Sequence, residues 1–316
     1  MKFGVIGIGS IGLRHIKNIK NLGFEVVGHD TNKSKASDLK KIGINFIKNK
    51  KEFLSFIDAG IISTPTEYHL DGMSMLVNNN KHCLVEKPLS HEINETKNIL
   101  NLATKKKLII QVGHNLRFNP AIKFAKKLLE NNYIGEILWA RLICSSFLPN
   151  WRKNYDYKNS YANKKKSGGV IFDCIHEIDL AYHLFGTGKV ISANSRNTQT
   201  LGLKVEDISN ITIKHSKGFF SNIHLDYVTQ PKTRITEIAG KNGILKIDVS
   251  KRRIEFTNTK GRVVKEKIFK SKLNCDYTNE IINFHKYIIE KKNNKLNQQD
   301  NLNVLKLAID AKNLSS

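Results

Sequence analysis

The run Gly7-Ile8-Gly9-Ser10-Ile11-Gly12 stands between an apolar stretch, Phe3 to Ile6, and a stretch with helical periodicity, Ser10 to Leu22. A G-x-G-x-x-G pattern on a strand-to-helix turn constrains the chain more than any other feature. Gly7 allows the tight turn, Gly9 lets a pyrophosphate approach the backbone, and Gly12 lets the helix pack on the strand. Ser10 and Ile11 begin the helix whose N-terminus attracts phosphate charge. A second apolar run, Glu25 to Gly28, leads to Asp30. A carboxylate there accepts hydrogen bonds from both adenosine ribose hydroxyls and repels a 2′-phosphate, so NAD is favoured over NADP. Lys33 and Lys35 soften that preference, either as phosphate contacts or as solvated charges at a helix start.

Strand and helix patterns continue to alternate, with strand candidates at Ala59 to Ile62, His82 to Val85 and Leu108 to Val112. Helices are expected near Lys33 to Lys41, Thr66 to Asn79 and Ser90 to Lys106. This is the signature of a doubly wound parallel sheet. After a helix at Ala121 to Asn131 the pattern changes to eight longer, often alternating runs, from Ile137 to Phe147 through Val263 to Phe269. Turns at Ser216-Lys217-Gly218, Lys241-Asn242-Gly243 and Thr259-Lys260-Gly261 support hairpins. The fold class is therefore α/β: a Rossmann domain over residues 1–118, then an α+β domain over 119–316 with a large, mainly antiparallel sheet.

The formal net charge of +24 raises nucleic acid as a partner. Its Lys runs, at 48–51, 105–107 and 164–166, are scattered over expected loops and helix ends without interleaved aromatics, which argues against that partner. The charge still favours an anionic small molecule. The four cysteines are far apart in sequence and form no Cys-x-x-Cys pair, so no metal site is expected and free thiols in a reducing cytoplasm are. The N-terminus reads as a strand rather than a signal peptide, and no segment has the length of a membrane span.

Two further segments, Ile62-Ser63-Thr64-Pro65-Thr66-Glu67-Tyr68-His69 and His82-Cys83-Leu84-Val85-Glu86-Lys87-Pro88-Leu89, each follow an apolar run. With the glycine pattern before them, they resemble the Gfo/Idh/MocA oxidoreductases, a likeness extending from Lys2 to the closing residues and most specific at Glu86-Lys87-Pro88. The resemblance implies that Lys87 is catalytic, that Glu86 lies near the nicotinamide ribose, and that Ser63, Thr64 and Pro65 with His69 line the cofactor channel. An ammonium at a strand end suits this role, because it can stabilise alkoxide character while a hydride leaves carbon. The segment Gln111 to Pro120 resembles the family's crossing into the second domain. There Asn115 is a candidate for an amide contact to cofactor or substrate and Arg117 for an anion contact; a structural role at the junction is the alternative for both.

The second chemical centre is Gly168-Gly169-Val170-Ile171-Phe172-Asp173-Cys174-Ile175-His176-Glu177-Ile178-Asp179. A helix running from Asp173 onwards would place Asp173, His176 and Glu177 on one face. In the resembling family the corresponding histidine acts with the lysine on the reacting hydroxyl, and a preceding aspartate assists. His176 suits a general base because imidazole titrates near neutrality. The inositol dehydrogenase branch spaces aspartate and histidine by four residues; here the spacing is three. Asp179 reads as a helix-stabilising acid. Arg152 and Tyr161, in an aromatic and basic stretch ahead of the motif, are candidate substrate contacts or parts of a surface loop.

The expectation is thus an NAD-dependent dehydrogenase acting on a secondary alcohol of a sugar, cyclitol or nucleotide sugar, working as a homodimer or homotetramer. A non-catalytic NAD-binding regulator on the same fold is the alternative; the presence of both Lys87 and His176 argues against it.

Overall fold

The computed structural model describes residues 1–151, 156–291 and 295–315. The described residues form two compact units. The first comprises Met1–Gly113 and Tyr277–Leu305, the second His114–Asp276 and Lys306–Ser316.

In the first unit, β1 (Lys2–Ile6), α1 (Ser10–Asn21), β2 (Glu25–His29), α2 (Lys35–Lys40), β3 (Asn45–Phe46), α3 (Lys50–Phe56) and β4 (Ala59–Ile62) follow in turn. They are succeeded by α4 (His69–Asn78), β5 (His82–Val85), α5 (Ile93–Lys105) and β6 (Ile110–Val112). The six strands are all parallel, in the order β3-β2-β1-β4-β5-β6. Such an order reverses direction between β1 and β4, where doubly wound sheets bind ligands at their strand C-termini. The burial of β1 and β4 on both faces explains their unbroken apolar runs. Phe3, Val5, Ile16, Ile19, Ile61, Leu84, Ile281 and Phe284 belong to one buried cluster, so the returning C-terminal segment completes this core.

The second unit begins with α6 (Pro120–Glu130) and β7 (Ile137–Ser145), then two short helices, α7 (Val170–Asp173) and α8 (His176–Phe185). Seven strands follow: β8 (Gly188–Arg196), β9 (Ile208–His215), β10 (Phe220–Asp226), β11 (Thr233–Gly240), β12 (Gly243–Asp248), β13 (Arg253–Asn258) and β14 (Val263–Ile268). With β7 they make an 8-stranded sheet, β14-β13-β12-β11-β7-β10-β9-β8. All its pairings are antiparallel except β7 with β10. Alternation shows directly in burial: along β12 every second residue is buried. The chain ends in α9 (Asn274–Ile289) and α10 (Lys295–Leu314). Among the described residues no helix is long and apolar enough to cross a membrane.

Candidate active site

The glycine turn is built from backbone first. Gly7 has φ +88°, which favours glycine, and its N–H donates to His29 O at 3.0 Å. A Cβ on Gly12 would lie 1.9 Å from Gly7 O, so the start of α1 sits against the turn at a distance only glycine permits. Gly9 is different: a Cβ there would meet nothing within 4 Å, leaving open space above the loop. The Asp30 carboxylate closes the turn from β2, accepting from Ile8 N–H at 2.6 Å and from Asn32 N–H at 2.8 Å. From the end of β4, Ser63 Oγ donates to Gly7 O at 2.8 Å. The expected cofactor residues Gly7, Gly9, Ser10, Ile11, Gly12, Asp30 and Ser63 thus lie on and around one turn. Beside it, Thr64 Oγ1 is buried and has no hydrogen-bond partner among the described residues.

His69 is 1% exposed and bridges two carbonyls, with Nδ1 2.8 Å from Pro88 O and Nε2 2.9 Å from Thr64 O. Burial lowers its pKa despite the raising effect of those carbonyls, and a neutral ring has one N–H to donate to one of the two. The ring thus sits between the loop after β4 and the loop after β5. Pro65 is exposed and Thr64 half-buried.

Glu86 and Lys87 follow β5 directly, and the Lys87–Pro88 peptide is cis. Both side chains are half-buried. Glu86 Oε1 lies 2.7 Å from His15 Nε2, and Oε2 accepts weakly from Lys87 N–H at 3.4 Å. Burial pushes the Glu86 carboxyl up, but the His15 hydrogen bond and the fields of His15 and Lys87 outweigh it. The group lies below the usual carboxylate range and is ionised near neutrality.

In the second unit the continuous helix expected from Asp173 is not formed. Cys174 and Ile175 separate α7 from α8, and the residues expected on one face turn to different partners. Asp173 accepts from Tyr161 Oη at 3.2 Å and from Tyr227 Oη at 3.1 Å. Burial and then the Asp173 charge push the Tyr227 phenol well up, so it stays protonated and donates. Glu177 pairs with Arg234, Nε to Oε1 at 2.6 Å and Nη2 to Oε2 at 2.9 Å. The half-buried His176 begins α8, with its ring centroid 6.4 Å from that of His114. Gly169, with φ +91°, precedes α7, which is four residues long and ends at Asp173.

Arg117 grips Asp179, with Nε 3.0 Å from Oδ1 and 3.1 Å from Oδ2. Asp179 is 0% exposed; burial raises its pKa, but Arg117 and His114 together hold it below the usual carboxylate range. The acid read as a helix stabiliser thus serves Arg117, and Asn115 is buried in the same segment. Two cysteines distant in sequence meet: Cys144 and Cys174 are buried free thiols whose Sγ atoms are 3.9 Å apart. Arg152 lies outside the described residues. Sequence reasoning missed Tyr227, Arg234, His15 and His114. Each owes its place to tertiary contact, and the one sequence signal available was a polar side chain on an otherwise apolar face, as with His15 in α1.

A family model described as an oxidoreductase family with an NAD-binding Rossmann fold matches residues 1–114, and the C-terminal domain model of the same group matches residues 122–246. The chain belongs to the Gfo/Idh/MocA family of oxidoreductases. Among curated relatives, the family member is 27% identical over 235 residues to the glucose-6-phosphate 3-dehydrogenase of Bacillus subtilis (strain 168), covering 70% of this chain and 66% of that one. It is 31% identical over 198 residues to the scyllo-inositol 2-dehydrogenase (NAD(+)) of the same organism, covering 59% and 54%. The matches span less than two thirds of the length of these two relatives. Levoglucosan dehydrogenase, solved in complex with NADH and L-sorbose, superposes with a TM-score of 0.86 at 20% identity over 100% of this chain and 97% of that one, a likeness of fold.

Proposed function

We propose that the protein is an NAD-dependent dehydrogenase that moves a hydride between the nicotinamide and a secondary alcohol or ketone of a sugar, cyclitol or nucleotide sugar. The observation that carries this reading is the junction of two features in one unit. One is the glycine turn with Asp30 fixed beside it and the unsatisfied Thr64 Oγ1 next to it; the other is the strand end bearing ionised Glu86 and Lys87. NAD, when bound, accepts or returns the hydride. The residues that would hold it are those of the turn, Asp30 toward the adenosine ribose, Ser63, Thr64, Pro65 and His69 along the channel, Glu86 toward the nicotinamide ribose, and Asn115.

In the oxidative direction His176 takes the hydroxyl proton, while the Lys87 ammonium stabilises the alkoxide from which hydride departs. Asp173, held by two phenols, assists His176 and binds substrate with Tyr161 and Arg152. Arg117 meets an anionic substituent, a role for which it has to share its guanidinium with Asp179. Asp30 favours NAD over NADP.

A second copy of the chain is the proposed partner, in a homodimer or homotetramer. Exposed Phe220, Trp139 and Ile244 fall in one register row across β10, β7, β11 and β12, a stripe of apolar side chains on an open sheet face. The buried free thiols fit work in the cytoplasm.

The test is a panel of uronates, amino sugars, cyclitols and nucleotide sugars incubated with NAD and followed by NADH absorbance. At least one class is expected to reduce NAD. NAD binding without reduction by any of them would favour the non-catalytic regulator.

A further inference from the structure

The buried face of α1 comprises Gly12, His15, Ile16, Asn18 and Ile19, and a buried imidazole there needs a partner. His15 is 0% exposed, and its Nε2 meets Glu86 Oε1 at 2.7 Å. Because the ionised carboxylate only accepts, Nε2 carries the proton. A third group joins from the far end of the chain: one ligand atom each of His15, Glu86 and the fully buried Glu280 of α9 lie within 4.8 Å of one another.

Two carboxylates brought this close repel unless cations or protons stand among them. At Glu86 the field of Lys87 is one such charge, and it lowers the carboxyl. The Tyr277 ring lies edge-on to His15 at 6.0 Å, and the Arg14 guanidinium sits 4.7 Å from the Tyr277 ring. Burial raises the Tyr277 phenol first, with Glu86 and Glu280 also raising it and Arg14 and Lys87 lowering it, so all four charges converge there. A metal ion is the weaker reading. Two ligands on one divalent ion stand about 3 Å or more apart given bond lengths near 2 Å, and His15 and Glu86 are already in direct hydrogen-bond contact.

We propose that Glu280 is a positioning residue: its buried carboxylate acts through its field on His15, and the two together set the Glu86 carboxylate and the strand end that carries Lys87. The inference rests on the reading of Lys87 as catalytic. The group links the helix of the phosphate turn, the end of β5 and the returning helix α9. That helix is itself docked on β6, where Gln111 Nε2 donates to Glu280 O at 3.2 Å and Asn283 Nδ2 donates to Gln111 Oε1 at 3.1 Å. Gly113 leaves the necessary room, since a Cβ there would lie 3.1 Å from Glu86 Oε2.

The test uses the full chain as unmodified protein, Glu280→Gln and Glu280→Asp, with three readouts: the His15 ring nitrogens by ¹⁵N NMR, the Kd for NAD, and kcat on a substrate found by the panel. The expected result is a His15 ring signal displaced in Glu280→Gln and partly restored in Glu280→Asp, kcat lowered by about tenfold as for a small misplacement of a reacting group, and Kd changed by less than about threefold. His15 signals identical in all three proteins would overturn the relay, as would an altered ring with unchanged kcat. If no protein turns over any substrate, the proposed reaction fails separately, and the ring signals alone decide whether Glu280 acts on His15.

Discussion

Replacing Gly9 and Gly12 one at a time by alanine should produce two different defects, because the two glycines are required for different reasons. At Gly12 the new methyl carbon would stand 1.9 Å from Gly7 O and 2.8 Å from Ser63 Oγ. Real Cβ contacts do not fall below 3.0 Å, so helix and turn must part by at least 3.0 − 1.9 = 1.1 Å, and the nearest obstacle is backbone that has no rotamer to change. Overpacking of this kind costs about 1–3 kcal/mol, a drop in Tm of several degrees. At Gly9 the backbone has φ −80°, which alanine adopts freely, and the methyl would meet nothing within 4 Å. Stability should therefore change by less than about 1 kcal/mol. The same methyl would occupy the space that a pyrophosphate needs, and NAD affinity should fall by about tenfold or more, at least 1.4 kcal/mol. Thermal melts of both variants and calorimetric titration with NAD separate the cases. A Gly9→Ala protein that binds NAD as tightly as the unmodified chain would refute the assignment of this turn to phosphate. Equal destabilisation by the two substitutions would refute the packing argument.

Two other outcomes are expected. Asp30→Ala should weaken NAD binding more than NADP binding, and an unmodified protein that binds NADP as tightly as NAD would contradict the role given to that carboxylate. His183 of α8 should make stability depend on pH: burial, then the charges of Arg117 and Lys126, lower it from 6.5 to about 3. The unfolded ring takes up a proton that the folded ring refuses between those values, so its contribution is complete above about 6.5 and is lost as pH falls toward 3. Urea midpoints across that window should fall less steeply for His183→Gln, and identical slopes would show that another group governs the transition.

The parts of this fold that were legible in the sequence are those fixed by short-range chemistry. The turn from Gly7 to Gly12 could be read because strand, glycines, helix and Asp30 follow each other within one βαβ unit. The eight strands of the second unit could be read because their side chains alternate, as in β12, and because Asn-Gly and Lys-Gly pairs mark the hairpins. The short α3 and the two-residue β3 carry too little periodicity to be read. The break between α7 and α8 escaped because Asp173, His176 and Glu177 have the spacing of one helical face. What separates them is the capture of Asp173 by Tyr161 and Tyr227 and of Glu177 by Arg234, at sequence distances of 12, 54 and 57 residues. The same limit applies to His15 and Glu86, 71 residues apart, and to Arg117 and Asp179, 62 apart. Each could be nominated as a buried polar residue, but only the folded chain supplies its partner.

The central claim is that Lys87 and His176 carry the chemistry while the glycine turn and Asp30 carry the cofactor. The measurement that tests it most directly is kcat and NAD Kd, side by side, for Lys87→Ala, Lys87→Arg and His176→Ala on a substrate found by the panel. Each alanine variant should lose roughly a hundredfold or more in kcat with NAD affinity little changed. Lys87→Arg should also be poor, because a planar guanidinium neither matches the ammonium's geometry nor gives up a proton. Near-normal turnover in both alanine variants would contradict the account and place the chemistry on other residues.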